Sequence, residues 1–331
     1  MPRVIIAMRD EALAAQLFDD DARNRLAGVA EVVPGVMIDA SDPRWDADLA
    51  ECDVLLTGWG GPALDDAFLA RAPKLTAVAH AAGTVKRIVT DASWARGVRV
   101  SSAADANGIP VAEYALAMIL LAGKRVFDAQ DFLRRERSLL WAPTGSFGNH
   151  RATIGLVGAS RIGRRVLELL RPFDHEVLLA DPTLAPGEAA ALGAALVPLD
   201  ELLSRSRVVS LHAPLLDSTV GMIGSAQLAL LPDGATLINT ARGAIVDTDA
   251  LVDELERGRI RAVLDVTDPE PLPSDHRLYD APGVILTPHV AGALGNELAR
   301  LGSHAVDEIV RLARGERFAT EVPAHAVNGI A

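Results

Sequence analysis

The 331-residue chain has one cysteine, few aromatic side chains (4%) and no excess of positive charge. A single cysteine closes no internal disulfide and builds no thiolate zinc site, which excludes disulfide scaffolds and cysteine-ligated zinc dehydrogenases together. Cys52 precedes the strand-like Val54-Leu55-Leu56 and reads as a buried structural thiol. The eight histidines show no metal-ligand spacing, so no metal is expected. With 32 basic against 44 acidic residues the net charge is -12, which repels phosphate backbones and anionic lipid surfaces. Neither nucleic acid nor a membrane is an expected partner. The longest apolar run, Ala115 to Ala122, is far shorter than the roughly 20 residues that cross a bilayer. Residues Met1 to Met8 give way to Arg9-Asp10-Glu11 too soon for an export signal, and a cytoplasmic protein is expected.

What the chain does have is apolar material in short, regularly spaced pieces. Half of the residues are hydrophobic, enough to offset ordering entropy, and the length suits about two domains. Val4-Ile5-Ile6, Val54 to Thr57, Leu75 to Ala79 and Val98 to Val100 alternate with helix-like stretches. From about 110 a long helical stretch follows, with Pro110 at a plausible first position and apolar groups on nearly every face. It reads as a helix buried between domains or subunits, or as one domain's core helix. Six further strand candidates lie at 153–157, 176–180, 208–211, 235–239, 262–265 and 284–287, and helix-like spacers make a doubly wound parallel sheet the simplest topology. An amphipathic helix over about 297–315 ends at Gly315.

The segment Gly158-Ala159-Ser160-Arg161-Ile162-Gly163 leaves one of these strands and opens a helix, the context that a dinucleotide fingerprint needs. Gly158 would make the tight turn, Gly163 would let helix and strand pack closely, and a pyrophosphate would sit on the helix N-terminal amides. Ser160 stands where the pattern has a middle glycine, so its hydroxyl contacts the ligand or the loop is wider. Asp181 closes the next strand 18 residues after Gly163, a distance from which a carboxylate can accept both ribose hydroxyls and repel a 2′-phosphate. NAD is the expected cofactor.

Three more segments close strands on the same expected edge: Asn239 to Gly243, Leu264-Asp265 running to Glu270-Pro271, and Thr287-Pro288-His289. Reducing a 2-oxo acid needs a cation for the carboxylate and an acid for the carbonyl oxygen, and Arg242, Glu270 and His289 supply those types. With Ala81-Ala82-Gly83-Thr84, Val111 to Tyr114, His212-Ala213-Pro214-Leu215 and the dinucleotide loop, these motifs resemble the D-isomer-specific 2-hydroxyacid dehydrogenase family over nearly the whole chain.

That resemblance implies that Arg242 clamps the substrate carboxylate, His289 is the acid/base and Glu270 holds its charged form. It implies that Asp265 faces the nicotinamide amide, that Thr240 and Ala241 line its ribose side, that Ala213 lies along the cofactor, and that Arg161 and Ile162 touch the pyrophosphate. The backbone of Ala82, Gly83 and Thr84 would hold substrate and nicotinamide from the other domain. The chain departs from the family at Ser160, at Tyr114 where histidine is frequent, and at Val85-Lys86-Arg87 where an acidic stretch is usual. Trp59 and His80 follow first-domain strands and serve either packing or the substrate.

The expected architecture is α/β, two Rossmann/flavodoxin-like doubly wound parallel-sheet domains with an interdomain cleft. Residues 1–103 and 297–331 form the substrate domain and 104–296 the NAD-binding domain, with no further C-terminal regulatory domain. A small 2-oxo/2-hydroxy acid is the expected partner, and a homodimer through the long helix the expected assembly. A catalytically idle, corepressor-like NAD(H)-sensing protein on the same scaffold is the alternative. Formate dehydrogenase is disfavoured, because that branch pairs its histidine with glutamine rather than a residue like Glu270.

Overall fold

The computed structural model describes residues 1–143 and 147–325, and the chain divides into two compact units, Met1–Gly108 with Ala293–Ala331, and Ile109–Gly292. The crossings fall at 108/109 and 292/293 rather than at 103/104 and 296/297. Side-chain packing explains the shift in the first unit, where Ala103, Ala106 and Ala293 all join one core.

In the first unit the strands β1 (Arg3–Ala7), β2 (Glu31–Val32), β3 (Val54–Thr57), β4 (Ala77–His80) and β5 (Arg99–Ser102) form one sheet in the order β2-β1-β3-β4-β5. Every pairing among them is parallel. Successive side chains alternate between faces, so Val4 and Ile6 enter one core while Ile5 and Ala7 enter the other. A sheet covered on both faces needs apolar residues at every position, which is why these strands read as continuous hydrophobic runs. The helix Leu298–Ala313 closes one face with Leu298, Leu301, Ala305 and Ile309, and Gly315 follows at φ +76°. Part of the acidic excess serves as helix caps: Asp10, Asp19 and Asp65 each accept a backbone amide at a helix start. Cys52 is fully buried, its Sγ on the Val54 carbonyl, and burial pushes its thiol up to about 12.

The second unit holds β6 (Thr153–Val157), β7 (Glu176–Ala180), β8 (Ala195–Leu196), β9 (Val208–Leu211), β10 (Thr236–Asn239), β11 (Arg261–Leu264) and β12 (Val284–Leu286). Their order is β12-β11-β10-β9-β6-β7-β8, again all parallel, with the direction of winding reversing between β6 and β9. All strand C-termini therefore share one edge, and the switch point lies at its middle. Both units are the doubly wound sheets read from the sequence.

The helix Ala104–Gly123 begins earlier than Pro110 suggests. Ser102 Oγ accepts the Ala104 amide and Asn107 N bonds to the Ala103 carbonyl, so a capped first turn precedes the proline. At 20 residues this helix is long and apolar enough to cross a membrane by length and composition, although the apolar run within it is shorter. Its Ala112, Ala115, Ile119 and Ala122 pack into the second unit's core beside Ile154 and Ile238.

Candidate active site

The C-terminal edge of the second sheet carries Gly158 after β6, Asp181 after β7, Ala213 beyond β9, Thr240 to Arg242 after β10, Asp265 after β11 and Thr287 to His289 after β12. Gly158 adopts φ +95°, and a Cβ there would lie 2.7 Å from the Ala213 nitrogen. A Cβ on Gly163 would lie 2.1 Å from the Gly158 carbonyl oxygen. Both glycines are therefore required by contact between backbones, as the fingerprint needs.

Ser160 has φ −61° and ψ 178°, open to any residue, and its Oγ accepts the Gly163 amide at 3.3 Å. The middle position of the fingerprint has become the N-cap of the helix Arg161–Leu170. As an acceptor the hydroxyl serves that helix, and this bond leaves its own proton uncommitted. Arg161 begins the helix exposed, and Ile162 is half-buried behind it.

Asp181 accepts the Ala159 amide through Oδ2 at 2.7 Å and Thr183 through Oδ1, at 2.8 Å from N and 2.6 Å from Oγ1. Burial pushes its carboxyl up, but the Thr183 hydroxyl, the two amides and the Arg164 charge together bring it below its ordinary value. It stands ionised. Its place at the end of β7 is the one the sequence assigns to the adenosine ribose.

Asn239 clasps the next turn at both ends, its Nδ2 donating to the Arg242 carbonyl at 2.8 Å and its Oδ1 accepting the Ala241 amide at 3.0 Å. Gly243 packs so closely that a Cβ would lie 2.0 Å from the Thr267 carbonyl carbon, which seats the Arg242 turn on the segment leading to Glu270. Burial lowers the Arg242 pKa and the Glu270 charge raises it. The guanidinium remains a cation at any physiological pH. Thr240 Oγ1 is buried without a hydrogen-bond partner among the described residues, a polar atom on the ligand edge that a bound group could satisfy.

Asp265 lies at the base of the His289 loop. It is only 2% exposed, and its carboxylate accepts Thr287 Oγ1 at 2.6 Å, Val290 N at 2.8 Å and Ala291 N at 2.8 Å. With these three donors it anchors the loop that carries His289. That histidine has φ +56°, a conformation uncommon outside glycine. Its Nδ1 lies 2.7 Å from Glu270 Oε1. An ionised carboxylate only accepts, so Nδ1 carries the proton and Nε2 is left for a reactant. Arg242, Glu270 and His289 are thus brought together, with Glu270 bonded to one and felt by the other.

Ala82, Gly83 and Thr84 follow β4 in the first unit. Ser102 Oγ donates to the Gly83 carbonyl at 2.5 Å, Ala103 N donates to the Ala82 carbonyl, and Thr84 is exposed. His80 is buried, paired with Thr57 Oγ1 at 2.9 Å and bonded to the Thr84 backbone, and burial pulls it down to about 4. His80 is therefore packing, whereas Trp59 is 39% exposed. Sequence reading passed over Asn239 and the contact between Tyr114 and Thr287; an asparagine at the end of a strand just before Thr-Ala-Arg-Gly is the turn signal that could have singled out the first.

The residues present fit a dinucleotide: two glycines that close the turn, helix amides beside it, an ionised Asp181 and an orphaned Thr240 hydroxyl share one edge. Residues 116–291 match the D-isomer specific 2-hydroxyacid dehydrogenase, NAD binding domain. The D-3-phosphoglycerate dehydrogenase of Mycobacterium leprae is 35% identical over 304 residues, which span 91% of this chain but 56% of that protein. The glyoxylate reductase of Korarchaeum cryptofilum is 33% identical over 282 residues, 84% of this chain and 83% of that one. The TT0316 protein from Thermus thermophilus superposes with a TM-score of 0.76 at 30% identity, over 97% of this chain and 100% of that one.

Proposed function

This chain belongs to the D-isomer-specific 2-hydroxyacid dehydrogenase family, and from that premise we propose that it is an NAD-dependent oxidoreductase interconverting a small D-2-hydroxy acid and its 2-oxo acid. The observation that carries the reading is the hydrogen bond between His289 Nδ1 and Glu270, with Arg242 in the field of the same carboxylate. Arg242 holds the substrate carboxylate as a persistent cation and draws the 2-oxo carbonyl toward His289. His289 gives the Nε2 proton to the carbonyl oxygen as negative charge develops there, and takes it back in the oxidation direction. Glu270 accepts from Nδ1, which fixes the tautomer and stabilises the imidazolium. When bound, NADH supplies the hydride equivalent that adds to the carbonyl carbon.

Gly158, Arg161, Ile162, Gly163 and the backbone of Ser160 hold the pyrophosphate, Asp181 the adenosine ribose, and Ala213, Thr240 and Ala241 the remainder of the dinucleotide. The negative charge of Asp181 disfavours a 2′-phosphate. Asp265 acts on the nicotinamide end through the His289 loop. Ala82, Gly83 and Thr84 contact the substrate and the nicotinamide. The enzyme is a homodimer and works in the cytoplasm. The long helix Ala104–Gly123 expected to pair the subunits turns Ala115 and Ile119 into its own core, and dimerisation is supported instead by Val126 and Leu133 on the helix Val126–Glu136 and by Leu139 and Leu140 beyond it, the last two 89% and 87% exposed.

NADH oxidation with glyoxylate, hydroxypyruvate, pyruvate and bulkier 2-oxo acids tests the activity. Turnover with at least one of them is expected; tight NADH binding without any turnover would favour the idle sensor instead.

A further inference from the structure

Tyr114 projects from the helix Ala104–Gly123, and its hydroxyl lies 2.9 Å from Thr287 Oγ1, 173 residues away in sequence. Thr287 Oγ1 in turn donates to Asp265 Oδ1 at 2.6 Å. A threonine hydroxyl has one proton, and a carboxylate can only accept it. Thr287 has therefore committed its proton to Asp265, and Tyr114 must be the donor to Thr287. Burial raises the Tyr114 pKa, the Thr287 bond lowers it and the Asp265 charge raises it again, with a net rise that keeps the phenol protonated. The result is a directed chain from Tyr114 through Thr287 to Asp265.

The end of that chain is the anchor of the His289 loop. The Asp265 carboxylate also takes the Val290 and Ala291 amides, and its backbone carbonyl takes the His289 amide at 3.0 Å. Residues 287–291 wrap around one buried carboxylate, and His289 sits at the centre of the wrap at φ +56°. A non-glycine residue persists in that conformation only where its surroundings over-determine it. Thr287 is the one side chain of the loop bonded to the Asp265 carboxylate, and Tyr114 is what orients Thr287.

We infer that Tyr114 is a positioning residue for the acid/base histidine, its hydroxyl setting Thr287 and, through Asp265, the direction of His289 Nε2. The inference rests on the reading of His289 as the proton donor. It gives a physical role to one of the positions at which this chain departs from the family pattern. A tyrosine reaches Thr287 from the helix as a pure donor here, with its ring half-buried.

Tyr114→Phe removes the hydroxyl and keeps the ring. Its kcat for the best 2-oxo acid should fall about tenfold with KM within about twofold, because geometry at the reacting proton is lost and binding is not. His289 is bonded to Glu270 and to the Asp265 backbone, and the Arg242 charge reaches Glu270; a loosened loop weakens the Glu270 contact, so the basic limb of the kcat profile should move to lower pH. A readout that needs no turnover is the titration midpoint of His289 in 13C-histidine-labelled full-length protein, which should fall in Tyr114→Phe relative to wild type. Thr287→Ser keeps the hydroxyl and should stay close to wild type, Thr287→Val breaks both bonds of the chain and should lose at least as much as Tyr114→Phe, and the double variant should be no worse than Thr287→Val alone. Wild-type kcat, pH profile and His289 titration in Tyr114→Phe would overturn the inference. If the wild type reduces no 2-oxo acid, the functional reading fails, while the His289 titration still decides for or against the role of Tyr114.

Discussion

His289 Nδ1 and Glu270 Oε1 meet at 2.7 Å, the imidazole half-exposed and its backbone held left-handed by contacts behind it. The Nδ1 edge of the ring is therefore held by a carboxylate whose field also reaches Arg242. Glu270→Gln preserves shape and removes that charge. The expected outcome is a fall in kcat on the order of tenfold or more and a displacement of the basic limb toward lower pH, since a neutral partner no longer favours imidazolium. A pH profile superposable on wild type would show that the pairing plays no part in proton transfer.

The fingerprint turn separates conformation from capping. Ser160→Gly restores the family's glycine but removes the cap on Arg161–Leu170, so stability should drop by only a few tenths of a kcal/mol, whereas Ser160→Ala should cost about 1 kcal/mol. Dinucleotide affinity should be nearly unchanged in both, because φ −61° suits either residue. Gly163→Ala drives a Cβ into the Gly158 carbonyl and should lower NADH affinity by more than about tenfold. Urea midpoints and NADH fluorescence titrations measure the two effects; loss of affinity in Ser160→Ala would return the hydroxyl to the ligand.

Leu139 and Leu140 are the most exposed large hydrophobic side chains among the described residues, on the same arm as Val126 and Leu133. On the proposed homodimer, placing two glutamates there (Leu139→Glu with Leu140→Glu) should shift the sedimentation coefficient in analytical ultracentrifugation from that of a dimer to that of a monomer, because a charge buried at an interface without a partner is costly. A dimer that persists unchanged would move the interface elsewhere. The Trp141 and Phe147 rings, 5.6 Å apart, lie next to this stretch.

Legibility in the sequence followed the range of the forces involved. The doubly wound sheets were readable because strands buried on both faces leave unbroken apolar runs such as Val4-Ile5-Ile6. The edge strands Glu31–Val32 and Ala195–Leu196 were not, since two residues carry no period. Gly158, Gly163 and Asp181 could be placed because the fingerprint spaces all three within one strand–turn–helix–strand stretch. Asp265 could not be oriented, as the donors that turn it inward come from Thr287, Val290 and Ala291. Tyr114 stood out only as a departure, because its partner lies far along the chain.

Two buried histidines set the acid limit of the fold. His80 in the first unit and His212 in the second, the latter bonded to Ser210 at 3.0 Å, are both brought to about 4 by burial. The unfolded chain titrates these groups near 6.5, so between 6.5 and 4 it binds more protons than the folded one. Stability is then complete above about 6.5, declines as pH falls toward 4 and levels off below, with each group contributing up to about 3 kcal/mol. Half-buried His175, also lowered by burial, acts in the same direction. Asp181 and Asp174, both held below 3.8, release their share only at lower pH, which leaves the window to the histidines. Urea midpoints should therefore fall steadily from pH 7 to 4.5, and His80→Asn or His212→Asn should be less stable at pH 7 yet show a shallower decline. Parallel declines in wild type and variants would mean that these rings are already protonated in the folded protein.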